Sequence, residues 1–131
     1  MQTRLSQLVK HITATVILLL GLFISAQTFA LSSEEQTRTE ALLTELGKQQ
    51  NLTFIRNGSE YSAADAESHL RLKLSKTQKR LKTAEQFIDN VASKSSITGE
   101  EYQVRDGQGK VTSANNYLHD LLNEKVDPQA P

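Results

Sequence analysis

LTFIRNGSEYSAADAESHLRLKL, residues 52–74, changes its structural period partway along. The first five residues, LTFIR, are rich in strand formers and run into Asn57 and Gly58, the dipeptide best suited to the positive φ of a tight turn. Ser62 followed by Asp65 is a helix-capping signal, and beyond it Ala66, Leu70, Leu74, Thr77 and Leu81 recur at helical spacing. SHLRLKL alone would pass for an alternating strand, but the cap before it and the length of the pattern make it a helix.

Upstream, Ser32 and Ser33 precede Glu34 and Glu35, a cap with first-turn acids, and Ala41, Leu42, Leu43 and Leu46 complete a helix predicted over 33–49. Downstream, Thr83 with Gln86 starts a third helix whose apolar stripe is Ala84, Phe87, Ile88, Val91 and Ala92, ending near Ser93. A polar loop over 93–99 leads to a hairpin in which residues 102–105 and 110–112 flank the turn Asp106, Gly107, Gln108, Gly109. Ser113 caps a last helix carrying Tyr117, Leu118, Leu121 and Leu122, followed by a frayed tail over 127–131. The fold class is α+β: a single, helix-dominated small domain over 31–126, with about four helices and a small antiparallel sheet that pairs the Phe54 and Val104 segments.

The chain has 131 residues, with 15 basic and 15 acidic side chains that balance, and no cysteine. That length holds one domain and excludes a multidomain enzyme. The charge is unevenly placed. The first 30 residues hold Arg4 and Lys10, no acid, the apolar run ITATVILLLGLFI at 12–24, and a short segment of mostly small residues up to Ala30. This is the layout of a secretory signal peptide cleaved after Ala30. The alternative is an uncleaved membrane anchor over 12–31. Without cysteine there is neither a lipid anchor at the new N-terminus nor a disulfide, so the domain rests on its core alone.

Motifs of catalysis are mostly missing. His69 and His119 stand without cysteine or an H-E-x-x-H pair, which leaves no metal centre and no cofactor to expect. GQGK at 107–110 lacks the spacing of a phosphate loop and reads as a turn. Asp65 lies four residues before His69 on the predicted helix, so a carboxylate could orient the imidazole for a nucleophile such as Ser95 or Ser96; the same pair is equally an ordinary surface contact. The largest irregularity is a run of six cations without an acid, Arg71, Lys73, Lys76, Lys79, Arg80 and Lys82, with Leu72 a misfit among them. Such a face suits phosphate, sugar acid or anionic headgroups, and it is also what a solvated helix face looks like, with Glu67 and Arg71 paired. Tyr61, Tyr102 and Tyr117 are candidates to line a polar pocket with Arg56 and Asn57. The mildly acidic character of the chain after residue 30 argues against nucleic acid.

The blocks FIRNG (54–58), SHLRLKL (68–74), TAEQFIDNVAS (83–93) and SSITG (95–99), followed by Tyr102, resemble the YfeK-like family of small exported proteobacterial proteins of unknown function. The resemblance covers 52–104. It implies a periplasmic setting, with an inner-membrane anchor over 12–31 as the alternative, and supplies no reaction. The polar residues inside or beside those blocks define the candidate ligand-binding set: Arg56, Asn57, Tyr61, His69, Arg71, Lys73, Ser95, Ser96 and Tyr102. The leading expectation is a non-enzymatic binding or accessory module for an anionic envelope component or a partner protein. A small hydrolase or transferase using His69 with Ser95 or Ser96, and a purely structural envelope protein, are the alternatives.

Overall fold

The computed structural model describes residues 30–128. The signal-peptide expectation and the last three residues of the expected tail lie outside them. Helix α1 (Ser33–Gly47) starts where Ser32 Oγ accepts the Glu35 N–H at 3.2 Å. Strand β1 (Thr53–Arg56) turns through Asn57 and Gly58, both at positive φ (51° and 77°), into β2 (Ser59–Ser62). Two consecutive positive φ values are what a two-residue hairpin turn needs, and glycine at the second takes its value without steric cost.

Strand β2 is absent from the sequence reading, for a physical reason. SEYS offers one core-facing side chain, Tyr61, and its last residue is already the cap of helix α2 (Ala63–Thr77), with Ser62 Oγ accepting the Asp65 N–H at 3.1 Å. A strand this short and polar has no alternation to detect; its register comes from the turn. The expected helical stretch as far as Leu81 also divides. Residue Thr77 ends α2, a 3₁₀ turn spans Gln78–Arg80, and Leu81 is extended yet buried, so it reaches the core by a bend of the chain.

Helix α3 (Ala84–Phe87) begins at Thr83, whose Oγ1 accepts the Gln86 N–H, and widens into a π-helical segment, Ile88–Ala92. The wider turn lets Ile88, Val91 and Ala92 all bury, and Ser93 Oγ donates to the Ile88 carbonyl at its end. The expected hairpin forms as β3 (Gln103–Arg105) and β4 (Val111–Ser113). Helix α4 (Ala114–Leu121), capped by Ser113, passes into a second π segment, Leu122–Val126.

The four strands form one antiparallel sheet in the order β2-β1-β3-β4. Its register aligns Tyr61, Phe54, Val104 and Thr112 across one face. That face lies against the helices, where Phe54, Val104, Leu43, Leu46, Leu70, Phe87 and Leu118 are at most 2% exposed. The result is α+β, with helices on one side of the sheet. No described helix is long and apolar enough to cross a membrane.

One polar clasp closes the helical layer. The Arg38 guanidinium bridges Glu35 (2.8 Å), Glu85 (2.7 Å) and Asp127 (2.5 Å), and Glu35 also accepts the Ala84 N–H. Asp127, assigned to the tail by sequence, is thus tied to α1 and α3.

Two predictions follow from this packing. Leu118→Ala is expected to cost about 2–5 kcal/mol, because a fully buried leucine leaves a cavity. Leu72→Ala, at a site 53% exposed, is expected to stay within about 0.5 kcal/mol. Urea unfolding of the two variants checks the contrast. The Arg38 hydrogen bond holds the Glu85 carboxyl below the usual carboxylate range. Its contribution is therefore complete above the unfolded carboxylate pKa and is lost as pH falls through the folded value. The stability deficit of Arg38→Met should accordingly shrink from about pH 7 to about pH 3 in the same assay.

Candidate functional site

Strand alternation and helix periodicity bring the candidate residues together. Arg56 lies two residues beyond Phe54, so it points to the helical side of the sheet but at the end of the strand, where the core opens. On α2 and the turn after it, His69, Lys73, Lys76 and Arg80 follow at intervals of four, three and four residues, a stripe flanking the buried Leu70 and Leu74. The two stripes face the segment between α3 and β3. A groove of about 530 Å³ lies between them, lined by Arg56, Asn57, His69, Leu72, Lys73, Lys76, Thr77, Arg80, Ser95, Ser96, Ile97 and Tyr102.

Seven of the nine sequence candidates line this groove: Arg56, Asn57, His69, Lys73, Ser95, Ser96 and Tyr102. Tyr61 stands next door. It lines a smaller cavity of about 250 Å³ with Phe54, Ala66 and Asp65 that shares Arg56 and His69 with the groove. Arg56 donates to the Tyr61 hydroxyl at 3.2 Å, and its guanidinium carbon lies 4.7 Å from the ring centroid, so the tyrosine aims the arginine.

Arg71 is placed elsewhere. It turns toward α1, binding Glu67 at 2.8 Å, Thr44 Oγ1 at 2.9 Å, and Glu40. The run of cations is thus not one face: Arg71 closes the contact between α1 and α2, while Lys73, Lys76 and Arg80 turn to the groove. Tyr117 is also remote, beside Asn51 and Gly107. Lys76, Arg80, Leu72 and Ile97 are groove residues that the candidate set lacked. The signal for the first two was their spacing from His69 and Lys73, masked by Arg71, Lys79 and Lys82 in the same run of cations.

Lys73 is the most unusual group. It is 8% exposed, donates to the Lys94 carbonyl at 2.7 Å and to the Tyr102 hydroxyl at 3.5 Å, and lies 5.1 Å from that ring's centroid. It has no carboxylate partner among the described residues. Burial, with a smaller push from Arg56, lowers its pKa to about 8. Burial lowers His69 as well, helped by Arg56, Lys73 and Lys76, which leaves a neutral imidazole at neutral pH. Burial raises the Tyr102 phenol, so it stays a neutral hydroxyl.

The ion pairing of the described residues sets the groove apart. Of the five arginines among the described residues, Arg38, Arg71 and Arg105 are in carboxylate pairs. Arg56 and Arg80 are not, and both line the groove. No aspartate or glutamate lines it. The depression continues past Arg80, Ser95 and Ser96 to Lys94 and Asn90, again without an acid. Cations without carboxylate partners that converge on a concavity make its potential positive.

The expected pairing of His69 with a serine is not seen among the described residues. No hydrogen bond joins His69 to Asp65, Ser95 or Ser96 among the described residues. Ser95 is 6% exposed and its Oγ is engaged, accepting the N–H groups of Ile97 (3.3 Å) and Thr98 (3.2 Å). Among the described residues no group of three or more histidine, cysteine or carboxylate side chains could hold a metal ion.

A family model described as "Family of unknown function (DUF5329)" matches residues 33–126. Over 93 residues the chain is 48% identical to "Uncharacterized protein YfeK" of Salmonella typhimurium, covering 71% of this chain and 75% of that protein. No solved structure matches.

The buried ammonium makes a prediction about stability. Between pH values of about 8 and 10.5 the unfolded chain still holds a Lys73 proton that the folded chain has lost, so stability rises with pH through that window. Measured against Lys73→Met, the wild-type chain should gain relative stability from pH 8 to pH 10.5. Parallel urea melts across the window test this, and a flat difference would refute it.

Proposed function

The chain belongs to DUF5329, a family of unknown function, and from the chemistry of the groove we propose that it is a non-enzymatic binding module for an anionic partner. The single observation that carries this is the segregation of arginines among the described residues: those away from the groove are neutralised by carboxylates, and Arg56 and Arg80, which line it, are not. Burial first, and repulsion from Arg56 second, lower His69 and Lys73, and an anion in the groove would relieve the repulsive part. Lys73, Ser96 and Asn57 add donors inside the same volume. The signal-like layout of the first 30 residues supports an exported, periplasmic protein, so the anion is sought in the cell envelope.

Inorganic phosphate is the simplest probe. Titration calorimetry at low salt should show binding that weakens as ionic strength rises. Arg80→Glu should reduce affinity by about tenfold or more, equivalent to ~1.4 kcal/mol. Arg71→Glu, which changes the charge of the molecule equally but lies outside the groove, should leave affinity within about twofold. Binding should also weaken as pH rises through about 8, where Lys73 loses its charge. Equal losses in the two charge reversals would mean that net charge, rather than this groove, holds the anion.

A further inference from the structure

Leu72 and Ile97 are the part of the groove that anion binding leaves unexplained. Three large apolar side chains stand out as exposed among the described residues: Leu72 at 53%, Val111 at 47% and Ile97 at 95%. Two of the three line the cationic groove, Leu72 from α2 and Ile97 from the turn between α3 and β3.

That turn is built to hold its tip out. Ser95 N–H donates to the Glu100 carbonyl at 2.8 Å, Gly99 N–H donates to the Ser95 carbonyl at 3.0 Å, and Ser95 Oγ accepts from Ile97 and Thr98. An isolated antiparallel backbone bridge between Lys94 and Glu101 closes its base. An isoleucine fixed at such a tip has paid its ordering cost before any partner arrives, and its side chain gains nothing from the fold. Leu72, the misfit in the basic run, is exposed between Arg71 and Lys73 in sequence and shares the groove with Lys76 and Arg80. Aliphatic side chains beside unpaired cations match a surface that is apolar just beneath a layer of anions.

We propose that the groove takes the phosphate headgroup of an anionic phospholipid in a bilayer, with Leu72 and Ile97 seated at the boundary between headgroups and acyl chains. This rests on the anion-binding reading and names its ligand. In the docked state Lys76 and Arg80 face headgroup phosphates and Lys73 lies deeper in the groove. Charge complementarity favours this occupant: no acidic side chain lines the groove, and the carboxylates of Glu100 and Glu101, which follow the turn, are not part of its lining. The adjoining cavity, which shares Arg56 and His69 with the groove, has Asp65 in its lining.

The test uses the chain from Leu31 onward, because the apolar run at 12–24 would bind vesicles by itself; the buried core lies wholly between Leu42 and Leu122. Vesicles of phosphatidylglycerol mixed with phosphatidylcholine should cosediment with the protein, and phosphatidylcholine vesicles should not. The double variant Leu72→Ser, Ile97→Ser, altered only at exposed positions, should lose vesicle binding by about tenfold or more while its affinity for soluble glycerol phosphate stays within about twofold. Arg80→Glu should lose both. If the protein binds glycerol phosphate but no anionic vesicle, or if the double variant sediments like the wild type, the lipid assignment is overturned and the anion-binding reading stands. Binding of a leucine-containing acidic peptide with no vesicle binding would overturn it in favour of a protein partner. Failure of every anion, inorganic phosphate included, would remove both readings together.

Discussion

The inward placement of Phe54 is the constraint on which the rest of the molecule depends. It sits in the second strand of the sheet, paired with Tyr61 on one side and Val104 on the other, and its ring meets Tyr102 edge-on at 5.7 Å. Because strand side chains alternate, burying Phe54 commits Arg56 to the same side of the sheet. A slip of one residue would bury Ile55 instead and send Arg56 to the outer face, where the sheet already pairs Arg105 with Glu60. The core contact therefore sets the position of a charged group that takes no part in the core.

The helices obey the same logic with a different period. Leu70 and Leu74 must face inward, and α2 then carries His69, Lys73 and Lys76 along one flank and Arg71 along the other. The flank toward α1 meets Glu40 and Thr44 and is neutralised. The opposite flank meets Tyr102, Ser95 and the Lys94 carbonyl, none of which carries a negative charge. One helix thus has a cationic side paired with carboxylates and another, lining the groove, that is not. Lys73 is held at the inner limit of the groove side by a carbonyl and a phenol, partners that accept from it without cancelling its charge.

Much of this was legible along the chain. Ser32, Ser62, Thr83 and Ser113 each announce a helix start, and each accepts a backbone N–H three residues on. Asn57 with Gly58 announces the hairpin turn, and the blocks that resemble the YfeK-like family point to the family to which the chain belongs. Strand β2 was not legible, since Ser59, Glu60 and Ser62 show no alternation. Nor was the bend at Gln78–Arg80, because Leu81 continues the helical spacing in sequence while reaching the core from an extended backbone. Among the site residues, Arg71 and Lys73 look alike in composition, and nothing local distinguishes a cation that will meet Glu40 from one that will meet a carbonyl.

By itself the sequence determined the α+β class, the helix starts, the two hairpins' turns and the presence of excess cations on one helix. These follow from forces acting within a few residues: capping, the φ demands of turns, and the period of apolar side chains. Only the tertiary structure decided which of the described arginines lack a carboxylate partner, and that these two, Arg56 and Arg80, share one groove with Leu72 and Ile97. The ion pair of Arg71 with Glu40 and its hydrogen bond to Thr44 join residues 31 and 27 positions apart across α1 and α2. Such distances are set by the packing of Phe54, Leu70 and their neighbours, a property of the whole core rather than of any segment.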